Sequence, residues 1–148
     1  MPILQVARPQ GMDYRIWALL SAGFAGATAV LAKKGVEGIP ANTALMVRVA
    51  FVLVFSVGLA MATREATVAG LSRSQWLFLG LSAVGTWLSW LCYFRALQLG
   101  DVSRVAPIDK LSFIIAMILG AIFLREKIDL RLAAGATLIV TGVLITLK

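Results

Sequence analysis

Asp109 and Lys110 stand side by side at the front of an uncharged run, Leu111 to Leu124, and Arg48 lies six residues beyond Asn42 in another apolar run. A carboxylate and a guanidinium in apolar surroundings can bind a charged solute, pass a proton, or pair with each other to fix helix registry. Trp87, Trp90, Tyr93 and Phe94 crowd one stretch, with Arg95 beside them. Rings at that spacing either wall a cavity or anchor a helix at a lipid–water interface. Covalent chemistry has little to draw on. The chain has no histidine and a single cysteine, Cys92, with no nucleophile–base pair and no metal-ligand cluster. No enzymatic activity, metal or cofactor is therefore expected.

Long apolar segments must position these residues. The 148-residue chain is 60% hydrophobic, has a mean hydropathy of +0.91, and is only 14% charged, against about a quarter in soluble domains. A soluble fold of this size cannot hide that much apolar surface; lipid is the matching solvent. Five runs predict an all-α, polytopic integral membrane protein, a bundle of five transmembrane helices at about 15–33, 42–62, 75–98, 102–124 and 131–147. Each approaches the roughly 20 residues needed to span a bilayer. Residues 1–14 read as a polar N-terminal segment and 15–148 as a single transmembrane domain. The first run has the outline of a signal peptide, but four similar runs follow, so it reads as a retained helix. The net charge of +7 is spread singly or in pairs between the runs. Such flanks suit anionic lipid headgroups and do not suggest nucleic-acid binding.

Length fixes the depth of the charged pair. Leu111–Leu124 makes a helix of only about 21 Å, against a hydrocarbon core of about 30 Å. A crossing helix must therefore start near Val102 or Ser103, which puts Asp109 about 10 Å along it. The alternative is a re-entrant half-helix starting at Pro107, which requires protein or water around its backbone. Five spans place the termini on opposite sides: side A holds the N-terminus and side B the C-terminus. Arg48, Arg95, Asp109, Lys33 and Lys34 all approach from side B, which predicts a polar vestibule over an apolar floor.

Lys110 is long enough to snorkel, and so reads either as an interface anchor or as a lining residue. Asp109 is too short to escape. It shares a helix face with Phe113, Ala116 and Gly120, and is expected to face the bundle with Arg48 as its partner by matched depth. That partnership serves a path or merely fixes registry. Gly23, Gly26, Ala116, Gly120, Gly135 and Gly142 are expected to be helix-packing positions.

The stretch YFRALQLGDVSRVAP…LGAIFLREKIDLRLAAGATLIVTGVLI, Tyr93 to Ile145, resembles the EamA family of the drug/metabolite transporter superfamily. The resemblance lies in an aromatic-x-x-Ala-Leu helix end, a Gly-containing turn, a helix ending at Glu126, and a last helix with Gly135 and Gly142. The earlier RIWALLSAGFAGATAVLAKKGVEGIPANTALMVRVAF resembles the family's first two helices, with Arg48 at its habitual arginine. Relatives commonly carry a proline deeper in the fourth span, whereas here Pro107 comes early. Family members typically hold two five-span repeats in opposite orientation, and this chain resembles one repeat.

The resemblance implies a secondary carrier for a small polar or amphipathic metabolite in a prokaryotic cytoplasmic membrane. Its expected path residues are Asp109, Arg48, Lys110, Arg95, Trp87, Trp90 and Tyr93. Inverted repeats bind substrate near the midplane and rock against each other. A single repeat then implies an antiparallel homodimer, or a heteromer with a related half-size protein. Loop cations fit dual insertion: Arg8, Arg15, Arg64, Arg73, Arg125, Lys127 and Arg131 on side A, against Lys33, Lys34, Arg95, Arg104 and Lys148 on side B. The slight excess on side A favours a cytoplasmic N-terminus. Two rivals are kept. One is a proton-coupled exporter of hydrophobic cations, although Arg15 to Ala32 lacks the carboxylate that such relatives place in the first span. The other is a non-transporting membrane assembly subunit.

Overall fold

The computed structural model describes residues 13–147. The N-terminal segment, apart from its last two residues, lies outside them, as do Arg8 and Lys148 of the loop-charge comparison.

The described chain is all helix and turn. α1 spans Tyr14–Gly35, α2 Ala41–Ala62, α3 Arg73–Leu99, α4 Val102–Asp109, α5 Ser112–Phe123 and α6 Leu130–Thr146. Polar residues start these helices. Asp13 accepts from the Arg15 N–H at the head of α1, and Asp129 from the Leu132 N–H at the head of α6. Ser72 and Gln75 form a reciprocal capping box at α3. At its far end α2 closes with Arg64 in the left-handed region (φ 59°), Glu65 N–H donating to Ala60 C=O and Arg64 N–H to Met61 C=O. That is the Schellman closure, built on arginine where glycine is usual. α5 closes on a second left-handed arginine, Arg125 (φ 56°), and Glu126 N–H reaches back to Gly120 C=O.

α1, α2, α3 and the pair α4–α5 are each long and apolar enough to cross a membrane. α6 is a shorter apolar helix of 17 residues, about 25 Å long and at the lower limit for a span. The protein is thus a multi-pass integral membrane protein, with one correction to the expected spans. The fourth is not a continuous helix over 102–124: it breaks at Lys110 and Leu111. Pro107 has no N–H to give, and its ring crowds the preceding turn. The break itself lies past that turn, where the chain tightens. Leu111 N–H donates to Ile108 C=O, Phe113 N–H to Lys110 C=O and Ile114 N–H to Leu111 C=O, all three-residue steps. Pro107 lies inside α4, so the re-entrant half-helix starting there is not adopted.

α3 is the hub, packing against α1, α2 and α4, while α4 also meets α1 and α6. The main cluster of buried residues is Ala32, Val36, Ala41, Ala44, Leu45, Phe94 and Leu97, flanked by Trp90, Tyr93, Val102 and Val105. All lie where α1 and α3 end and α2 and α4 begin, at side B. Two polar side chains fasten this end. Lys33 Nζ donates to the carbonyls of Leu97 (2.7 Å) and Gly100 (3.0 Å), and Gln98 Nε2 donates to Ile39 C=O (2.8 Å). An ammonium on the last carbonyls of α3 satisfies groups the helix leaves unpaired and opposes its dipole.

Candidate functional site

Four of the spans bring polar side chains to one depth. Arg48 lies seven residues into α2 and Asp109 seven residues into α4, each about 10 Å from its side B helix end. Thr28 of α1 and Tyr93 of α3 lie at similar distances from theirs. These residues enclose a cavity of about 280 Å³ lined by Ala25, Thr28, Ala29, Arg48, Ser89, Trp90, Tyr93, Asp109, Lys110 and Ser112. A second cavity of about 260 Å³ adjoins it through Ser89, Tyr93 and Asp109, and continues past Cys92, Ala96, Val105 and Ile108. Asp109 therefore stands between two hollows.

The expected ion pair between Arg48 and Asp109 does not form. Asp109 Oδ2 instead lies 3.5 Å from Lys110 Nζ, because the break after α4 lets neighbouring side chains converge on one cavity. Lys110 thus lines the cavity while its side chain stays largely exposed. Arg48 stacks on aromatic rings, with its Cζ 4.3 Å from the Trp90 centroid and 5.5 Å from that of Phe94. Such cation–π contacts hold a guanidinium by its face and leave its N–H edges available. No hydrogen bond or ion pair among the described residues takes up those edges. With two cations and one carboxylate, the lining has one positive charge in excess.

Five expected path residues, Asp109, Arg48, Lys110, Trp90 and Tyr93, thus meet at one cavity. Two do not. Arg95 is exposed, because it sits one residue, about 100° of helix rotation, off the inward row of Trp90, Phe94 and Leu97. Trp87 lines a neighbouring cleft of about 360 Å³ between α2 and α3, with Val49, Leu79, Thr86 and the other side of Trp90. Thr28, Ser89 and Ser112, with α1's small residues, complete the lining and had no signal beyond helical spacing.

The small-residue positions also need correcting. Among the described residues, no atom outside the local helix backbone and chain neighbours stands within 4 Å of where a Cβ would lie at Gly23, Gly26, Gly135 or Gly142, and Ala116 is exposed. Gly120 is buried, but the group resting on it is the Glu126 side chain from the following turn. These residues do not form seams within the protomer, because the packed core sits at side B, away from most of them.

Comparison with known proteins gives a consistent picture. Residues 14–148 match the EamA-like transporter family. A protein of Sinorhizobium sp, described as an uncharacterized transporter in the cobO 3' region, is 44% identical over 134 residues, 90% of this chain and 95% of that protein. A probable 4-amino-4-deoxy-L-arabinose-phosphoundecaprenol flippase subunit ArnE of Pseudomonas aeruginosa is 36% identical over 73 residues, 49% of this chain and 62% of that protein. Its counterpart in Pseudomonas paraeruginosa is 35% identical over 71 residues, 48% of this chain and 60% of that protein. No solved structure matches the chain.

Proposed function

The chain belongs to the EamA-like transporter family, and on that premise we propose that it carries a small polar or amphipathic metabolite as one half of a two-subunit carrier. As a family member it is a transporter of the bacterial inner membrane. The finer reading rests on the cavity around Arg48 and Asp109. Ionised groups about 10 Å inside an apolar bundle each cost roughly 2.5–3.5 kcal/mol at a helix centre, and less nearer the interface. Here three of them face one hollow. A structural ion pair would need one cation for one carboxylate, whereas this lining has a guanidinium left over with free donor edges.

Residues 15–148 act as a single transmembrane unit in this reading. A second subunit, in opposite orientation, supplies the opposing wall and the matching vestibule, so that the two units rock about the shared site. The partner is a second copy or a related half-size protein. The designation of the ArnE relatives as flippase subunits supports a carrier assembled from more than one chain. The excess positive charge disfavours export of hydrophobic cations.

The test is flux in proteoliposomes, using a metabolite first identified by its stabilisation of the purified protein. Asp109→Asn and Arg48→Gln should each lower uptake more than about tenfold, the scale of losing a charged hydrogen bond, with normal abundance in the membrane. If abundance falls in parallel with flux, the assembly-subunit reading gains. Reporter fusions at the C-terminus address the dimer: strictly one-sided termini would exclude the antiparallel homodimer and leave the heteromer.

A further inference from the structure

The threonines of the spans divide into two kinds. Past the first turn of their helices, Thr86, Thr137, Thr141 and Thr146 each donate to a carbonyl of their own helix, and Thr63 does so where α2 ends. That is how a hydroxyl is satisfied where no other partner reaches it. Thr28, well inside α1, makes no such bond among the described residues and belongs instead to the lining of the cavity around Arg48 and Asp109. Ser89, Tyr93 and Ser112 bring three more hydroxyls to that lining, likewise without a protein partner among the described residues.

The charges of the cavity narrow what those hydroxyls can serve. Asp109 and Lys110 lie 3.5 Å apart and offset each other. Arg48 remains, with its face on Trp90 at 4.3 Å and its edge a planar fork of donors that matches a carboxylate. One net positive charge is balanced by one negative charge. A phosphate monoester brings about −1.5 to −2 near neutral pH and leaves an excess that apolar surroundings penalise. A zwitterion brings no net charge, and its ammonium competes with Lys110 for Asp109. Volume sets the scale: about 280 Å³ equals about nine water molecules at roughly 30 Å³ each, which suits a small solute.

We infer that the cavity takes a small hydroxylated monocarboxylate, its carboxylate on the edge of Arg48 and its hydroxyl groups on Thr28, Ser89 and Ser112. This rests on the carrier reading above and narrows its substrate class. The three protein hydroxyls come from α1, α3 and α5. Ser112 opens α5 directly after the break at Lys110 and Leu111, so a solute held by all three ties α5 to α1 and α3. A site that bonds a solute's hydroxyl groups discriminates against the analogue without them, because its own polar groups are then left unpaired.

Calorimetric titration of the full-length protein in phosphatidylcholine nanodiscs tests this. The ligands are glycerate, threonate and gluconate, set against propionate, butyrate and hexanoate of matching chain length. At least one hydroxy acid should bind about tenfold or more tightly than its deoxy counterpart. Sorbitol, glycerol phosphate and serine should all bind more weakly than that acid. Thr28→Val and Ser112→Ala should each shrink the hydroxy-to-deoxy ratio about threefold or more, the scale of one hydrogen bond, and leave the deoxy acid's affinity unchanged. Arg48→Gln should weaken both acids about tenfold or more. Equal binding within every pair would show the hydroxyls idle and overturn the inference. Tighter binding of glycerol phosphate or serine would overturn it too, as would no binding by any of the three hydroxy acids. These comparisons use the unaltered chain, so they decide the matter even where Arg48→Gln misfolds. Arg48-dependent uptake of another solute, without hydroxy-acid binding, would overturn this substrate class and keep the carrier. Hydroxy-acid binding without flux in proteoliposomes would do the reverse.

Discussion

The two ends of this bundle are built differently. At side B, α1, α2, α3 and α4 converge on Leu97, the most deeply buried large side chain, and Lys33 and Gln98 tie the helix ends together. Towards side A, Leu59 and Met61 of α2 and Leu77, Phe78 and Leu79 of α3 are all well exposed. The left-handed closures at Arg64 and Arg125 bond each helix to its own turn, not to a neighbour. In lipid, apolar side chains gain little by leaving one another's company or seeking it. What binds helices is close packing and satisfied polar groups, and both are concentrated at side B. The packed end is therefore the frame of the site, and the open end is where movement or a partner can be accommodated.

Truncation in the cluster should give the largest stability effect. Leu97→Ala removes a fully buried side chain from the helix junction, and such truncations cost about 2–5 kcal/mol in soluble cores. The cavity and lost-contact part persists in lipid, so a loss of about 2 kcal/mol is expected in an SDS titration in mixed micelles. Leu138→Ala, on a side chain 74% exposed to lipid, should change stability by less than about 0.5 kcal/mol. Equal losses at both positions would break the contrast between packed and lipid-facing surface.

Lys33→Met comes next. It leaves the carbonyls of Leu97 and Gly100 without their charged donor. Measured interhelical hydrogen bonds in membranes average about 0.6 kcal/mol, so losing two should cost roughly 1.2 kcal/mol, a little over half the burden of Leu97→Ala. Lys34→Met is the control. Lys34 is exposed and, among the described residues, pairs only with Glu37 at 3.3 Å, a surface contact of little worth.

Lys33 shows where sequence reading ran out. Length against bilayer thickness located the spans, because an apolar run is visible whatever it packs against. Depth was legible for the same reason, and it brought Arg48, Asp109, Trp90 and Tyr93 to one level. Rotation about each helix was not. α2 and α3 are apolar nearly all round, so no polar face marks which side turns inward. Arg95 and Trp87 were therefore expected in the Asp109 cavity, whose lining lacks both, and Arg48 opposite Asp109 when it stacks on Trp90. The Lys33 contacts depend on where α3 ends relative to α1, a tertiary fact. Pro107 did signal a disturbance in the fourth span. The break falls at Lys110 and Leu111, however, where both residues keep right-handed helical angles.

A stabilising change sharpens the side A half of the comparison. Arg64 holds φ 59°, a region that L-residues occupy at a cost of about 1–2 kcal/mol and glycine occupies freely. Arg64→Gly should therefore stabilise by about 1 kcal/mol, and Arg64→Ala should not. Arg64 lies 19 residues beyond Leu45 of the buried cluster on α2, about 28 Å away along the helix. The effect should add to that of Leu97→Ala within about 0.5 kcal/mol. Strong coupling would mean that the closure at side A is felt in the core at side B.

The smallest effect is expected at Gly120, and it asks most directly whether side A packs at all. A Cβ there would lie 2.7 Å from Glu126 Oε2, closer than contact allows, which in a rigid core would force backbone apart. The obstructing atom is the tip of an exposed, flexible carboxylate side chain that can swing into solvent. Replacing glycine by alanine inside a helix also gains roughly 0.5–1 kcal/mol of conformational preference. The two terms oppose, and Gly120→Ala should fall within about 0.5 kcal/mol of the unaltered protein, with Glu126→Ala similar. A loss above 2 kcal/mol from Gly120→Ala would show the end of α5 to be held as firmly as the helix junction around Leu97. The openness of side A would then fail as the explanation for why a Cβ at Gly23, Gly26 or Gly135 would meet nothing among the described residues outside its own helix backbone.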